Sequence, residues 1–85
     1  MGERPTLCLL GTQDCSLCDA ALDLLMSMPE LRGARLQVVD IVHLDEGVDR
    51  YGSRIPVLLY AGHELDGPLT RERVSVWYLG MPHTV

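Results

Sequence analysis

The sequence predicts an α/β fold, a four-stranded mixed sheet with helices packed on it, and three observations carry that prediction. Short apolar runs rich in Leu and Val alternate with segments of helical periodicity. A strand, a helix and a second strand follow one another within about 35 residues, the length of a βαβ unit whose crossover is right-handed and whose strands are parallel. An Ala61-Gly62 turn then separates two further short strands that can return on each other.

Each element has its own local reason. Thr6–Gly11 is apolar on both faces, as a central strand covered from both sides would be. Gly11-Thr12-Gln13-Asp14 breaks it. From residue 16 to 28 the apolar positions Leu17, Ala21, Leu24, Leu25 and Met28 form a helical stripe. Pro29 disfavours helix at Met28 and closes the element. Residues 35–41 make a second strand rich in β-branched residues. Residues 44–51 can hold a short helix ended by Gly52, although Gly47 weakens it. Val57–Tyr60 is a third strand and His63–Asp66 a short fourth. Thr70 is placed to cap the last helix, with Leu69 stapled to Val74, an apolar face of Val74, Trp77, Tyr78 and Met81, and Gly80 at its end.

Size and composition bound the functional classes. Eighty-five residues make a single domain, 1–85, with one modest core. There is no Phe, and Trp77, Tyr51, Tyr60 and Tyr78 are the large aromatics, so the core is built from Leu, Val, Ile and Met. A net charge of −5, with no Lys and seven scattered Arg, argues against nucleic acid. No run approaches the roughly 18 to 20 apolar residues of a membrane span, so no membrane partner is expected. Residues 1–6 fit the loose N-myristoylation pattern but read more simply as an entry into the first strand. Three Cys, two of them close together, suit a reducing, cytoplasmic setting better than a secreted disulfide scaffold.

The chemistry lies in Cys15-Ser16-Leu17-Cys18, where a strand ends and a helix begins. The thiolate is the reactive form of cysteine, and unpaired N–H groups with the positive end of the helix dipole stabilise it there. Cys15, at the edge, is the exposed nucleophile. Cys18, one turn in, is the more buried resolving thiol, close enough to close a disulfide. Zinc competes for such a pair, but a structural site needs four ligands. Of the remaining candidates, Cys8, His43, His63 and His83, none forms a spaced pair with another. Cys8 reads as a small hydrophobe of the central strand. Ile55-Pro56 opens the third strand, and the residues alone leave its peptide bond cis or trans.

The Cys pair opening the first helix, Arg-Ile-Pro-Val opening the third strand and Glu-Leu-Asp-Gly-Pro-Leu before the last helix resemble the glutaredoxin-like branch of the thioredoxin superfamily. The likeness is greatest to small bacterial members in which Tyr-Gly-x-Arg-Ile-Pro-Val recurs, here residues 51–57, and it covers residues 7–78. The resemblance implies a thioredoxin fold with sheet order 2-1-3-4 and the third strand antiparallel to the first. It implies a disulfide oxidoreductase with Cys15 and Cys18 as its catalytic residues. It also implies a cis Ile55-Pro56 bond facing the pair, with the Ile55 backbone pairing with an extended substrate. A thioredoxin-fold interaction module that binds without catalysis is the alternative.

Departures from the family pattern shape the expectations. Ser16 and Leu17 stand where glutaredoxins commonly have Pro-Tyr and thioredoxins Gly-Pro, and the stretch 8–10 lacks the thioredoxin Asp. No cofactor is expected to be bound. Glutathione is a candidate reductant, and protein thiols or disulfides are candidate partners of a monomeric protein. Arg54 is the one cation near the predicted site, alongside Ile55 and Pro56, whereas Asp14, Asp19 and Asp23 crowd the helix start. Asp14 and Asp19 read as capping and dipole residues. Isolated His43 and His63 read as surface residues, Trp77 and Tyr78 as core, and Arg71 and Arg73 as the solvated side of the last helix. The acidic neighbours predict that Cys15 is less acidic than a typical glutaredoxin nucleophile and that glutathione binds weakly. Titration of the thiolate ultraviolet absorbance checks the first expectation, and an apparent pKa below about 5 would overturn it.

Overall fold

Successive apolar residues of the first strand point to opposite faces of the sheet, and each face acquires its own cover. In the computed structural model, which describes residues 4–81, β1 (Thr6–Gly11) runs between β2 (Arg35–Asp40) and β3 (Val57–Tyr60), with β4 (His63–Asp66) at the far edge. The order is β2-β1-β3-β4. β1 and β2 are parallel, and the β1–β3 and β3–β4 pairs are antiparallel. This is the thioredoxin-like mixed sheet that the resemblance implies. The start of the myristoylation pattern and His83 lie outside the described residues.

Leu7 and Leu9 on β1, with Leu58 on β3, meet Ala21 and Leu25 of α1 (Ser16–Ser27) and Val74 and Tyr78 of α3 (Arg71–Gly80). Leu10 and Val57 point the other way, under Ile41 and Tyr51. Leu58, Val57 and Val74 are wholly buried, and each such side chain contributes about 1.5–3 kcal/mol relative to exposure. The second cover is short because α2 spans only Gly47–Tyr51. Cys8, on the same face as Leu10, is therefore half-buried, with its Sγ 4.0 Å from Gln37 Oε1. It is not the sealed core cysteine that its strand position predicts.

Local differences from the expected elements have physical causes. Cys18, Ala21 and Leu25 form the buried stripe of α1, while Leu17 is 67% exposed and turns away from the core. Met28 is not helical but caps α1 with an extended backbone, as Pro29 requires, and a 3-10 turn follows over Pro29–Leu31. Ile41 leaves the sheet and begins a second 3-10 turn, Ile41–His43, because the Asp40 carboxylate accepts the Val42 N–H at 3.1 Å. α2 starts three residues later than expected because Glu46 adopts φ 55°, outside the helical region. Thr70 caps α3 as expected, its hydroxyl oxygen accepting the Arg73 N–H at 3.1 Å. Among the described residues no helix is long and apolar enough to cross a membrane.

The Tyr78 ring packs in the core 5.8 Å from that of Tyr60. Burial, with a smaller contribution from Tyr60, raises the Tyr78 phenol above the ordinary tyrosine value of 10.0. A raised acid holds its proton more tightly folded than unfolded, so its contribution is complete below pH 10.0 and is lost as pH climbs through the folded value. Urea unfolding above that pH is expected to show falling stability, with a shallower fall in Tyr78→Phe. Equal slopes for the two proteins would contradict this origin.

Candidate active site

The turn after β1 determines how the two sulfurs are presented. Asp14 adopts φ 57°, a left-handed conformation that Asp tolerates, and Cys15 follows as the N-cap of α1 with extended backbone angles. Its carbonyl accepts the first helical bond from Asp19 N at 3.1 Å. Its Sγ accepts the Cys18 N–H at 3.2 Å. Cysteine thus occupies the capping position assigned above to Asp14, which lies in the turn, while Asp19 remains in the first helical turn. Cys15 is half-buried and Cys18 only 6% exposed. The two lie at disulfide distance, with Cα atoms 5.2 Å apart. The helix start therefore offers one accessible sulfur, with an N–H and a dipole to favour its thiolate, and one sealed sulfur within reach.

Gly11 makes that packing possible. A Cβ at this position would sit 3.0 Å from Cys18 Sγ and 3.1 Å from Cys18 Cβ. The sequence marks Gly11 only as a strand breaker; its role as a contact surface for Cys18 emerges from the tertiary approach.

Ser53, Arg54, Ile55 and Pro56 line one wall of a groove opposite Leu17, Ala20 and Leu24 of α1, and the Ile55-Pro56 bond is cis. The Ile55 N–H already donates to Tyr51 O at 3.0 Å. Arg54 lines the same wall, but its guanidinium is committed: one nitrogen donates to Glu64 Oε1 at 2.9 Å and to Asp66 Oδ1 at 3.1 Å, and Nε donates to Arg50 O at 3.2 Å. It also lies over the Tyr51 ring, 5.0 Å from the centroid. The Glu64 hydrogen bond, reinforced by the Asp66 and Glu64 charges, raises its pKa and keeps it charged. Arg54 thus ties the Pro56 loop to β4 and α2.

A second cis bond, Gly67-Pro68, has no signal in the sequence beyond the Gly-Pro pair itself. A Cβ on Gly67 would lie 3.0 Å from Pro56 Cδ and from Pro56 O, so the two proline loops touch there. Gly67 N donates to Arg54 O at 3.2 Å. Arg73, expected in solvent, straps this loop by donating to Asp66 O at 2.9 Å and to Pro68 O. A groove of about 530 Å³ runs between Leu17, Ala20 and Leu24 of α1 and the two proline loops, ending at Thr70 and Arg71. His43 and His63 are exposed. Among the described residues no three His, Cys, Asp or Glu gather as a metal site.

Comparison with known proteins agrees with this architecture. The family model described as Glutaredoxin-like domain (DUF836) matches residues 6–79. The X-ray structure of target protein XcR50 from X. campestris is 34% identical with a TM-score of 0.76, over 89% of this chain and 99% of that one. Its solution structure gives 34% and 0.72, over 92% and 97%. Trxlp from Edwardsiella tarda EIB202 shares the fold at 16% identity and a TM-score of 0.53, over 89% and 82%. None of the curated proteins matches.

Gly11→Ala forces Cys18 or the strand to shift and is expected to cost about 1–3 kcal/mol in urea unfolding. Gly80→Ala, in open space on α3, is expected to gain up to about 1 kcal/mol. Equal effects at the two positions would remove the special role given to Gly11.

Proposed function

This chain belongs to the glutaredoxin-like domain family (DUF836), and from that membership and the geometry of its cysteine pair we propose that it is a thiol–disulfide oxidoreductase. One observation carries the reading. Cys15 is a half-buried helix-capping sulfur with Cys18 sealed at disulfide distance behind it, and Leu17, between them in sequence, opens a groove walled by a cis proline loop.

The Cys15 thiolate attacks a sulfur of the substrate disulfide, forming a mixed disulfide and releasing the other substrate sulfur as a thiolate. The Cys18 thiolate then attacks Cys15 Sγ. This forms the Cys15–Cys18 disulfide and expels the second substrate thiolate. The substrate gains two electrons, the protein loses two, and protons from solvent neutralise thiolates according to their acidity. A thiol reductant, glutathione or a thioredoxin-type dithiol of a cytoplasmic pool, returns the pair to the dithiol. Ile55 and Pro56 line the path of the substrate, and Arg54 supports that loop.

Equilibration of the Cys15–Cys18 pair against glutathione and dithiothreitol buffers is expected to give a two-electron transition between about −170 and −300 mV. Cys18→Ser is expected to accumulate a mixed disulfide on Cys15. Absence of an intramolecular disulfide in any buffer would sink the proposal and leave the non-catalytic binding module.

A further inference from the structure

The groove that opens at Leu17, between Cys15 and Cys18 in sequence and on α1, is mostly apolar. Leu17 and Leu24 on α1, Ile55 and Pro56 on one loop, and Pro68 and Leu69 on the other supply most of its wall. Leu17 is 67% exposed beside the sulfur pair, although exposing a leucine forgoes its burial in the core. The charged side chains lining the groove are Arg54 and Arg71. Arg54 is bonded to Glu64 and Asp66. Arg71 lies 3.7 Å from the Glu30 carboxylate. Hydrogen bonds from the Glu30 backbone and Ser75 hold that carboxyl below its usual range, so it remains an anion facing Arg71.

We infer that this groove selects protein disulfides in which the reacting cysteine is flanked by an apolar side chain, in preference to glutathione disulfide. The inference rests on the oxidoreductase reading and deepens it. An apolar flank laid against Leu17, Leu24 and Pro68 leaves water, and the six apolar residues need no rearrangement of charge to receive it. Glutathione brings two carboxylates in each half. Against these walls the carboxylates would lose hydration without gaining a free cation, because both lining arginines already face acids. The backbone adds little discrimination of its own. The Ile55 N–H is bonded to Tyr51 O and so is not free to pair with an incoming extended chain. Selectivity therefore falls on the side chain next to the cysteine.

The test uses the full chain, reduced with dithiothreitol and then freed of it, so that the protein dithiol is the sole electron source. Its second-order rates are measured with disulfide-linked dimers of capped peptides carrying Leu, Ser or Glu beside one Cys, with oxidised glutathione and with hydroxyethyl disulfide. Each rate is divided by that of dithiothreitol with the same disulfide, which cancels intrinsic reactivity. The Leu peptide is expected to react about tenfold or more faster than the Ser peptide, the gain from burying one aliphatic side chain. It is also expected to exceed oxidised glutathione. In Leu17→Ser the Leu-to-Ser ratio is expected to fall towards one. Equal normalised rates for Leu and Ser peptides, or glutathione disulfide as the fastest substrate, would overturn the selectivity alone. Failure to reduce any disulfide, hydroxyethyl disulfide included, would overturn the oxidoreductase reading and the selectivity with it.

Discussion

The central strand and the first helix approach each other so closely at Gly11 that a single added carbon would touch the Cys18 sulfur. That contact fixes the depth at which α1 starts above the sheet. The short turn that follows, with Asp14 in a left-handed conformation, then delivers Cys15 directly to the N-cap. One sulfur is left accessible to solvent, where the N–H of Cys18 and the helix dipole act on it. The other is sealed against β1. The asymmetry between attacking and resolving cysteine thus arises from backbone packing as well as from cysteine chemistry.

The opposite wall is assembled by groups distant in the chain. Arg54 joins the Pro56 loop to β4 and α2 through Glu64, Asp66, Arg50 and Tyr51. Gly67 allows the second proline loop to press against Pro56, and Arg73 holds that loop from α3. These cations are consumed in building the wall. A chain of net charge −5 consequently presents, along α1 from Leu17, a mostly apolar groove whose arginines are paired with acids. Its acidic character lies elsewhere, with Asp19 and Asp23 exposed on α1 and outside the groove lining.

Much of the fold was legible because the relevant forces are local or periodic. The continuous apolar run of β1, the β-branched run of β2, the Thr70 cap and the break at Pro29 each leave a mark within a few residues. The Cys pair at a strand-to-helix junction is equally legible, because its chemistry depends on helix-end dipoles and a one-turn spacing. Leu17 misleads for the same reason. Its spacing to Ala21 and Leu24 satisfies a helical stripe, but the true buried stripe runs through Cys18, Ala21 and Leu25 and displaces it towards the groove. Cys8 misleads because strand position carries no information about how far a five-residue α2 can cover the second face.

From its residues alone, this chain specifies the order of its elements, the placement of Cys15 and Cys18 at a helix start, and a core of aliphatic side chains. Capping, periodicity and turn chemistry act over a few positions, and a linear pattern contains them. Tertiary packing alone settles what seals Cys18, which proline bonds are cis, which arginines are paired and what lines the groove. Those outcomes depend on partners ten or more residues apart, as in the bonds of Arg54 to Glu64 and Asp66. Long-range pairing of this kind follows from three-dimensional proximity, for which neither composition nor spacing holds a record.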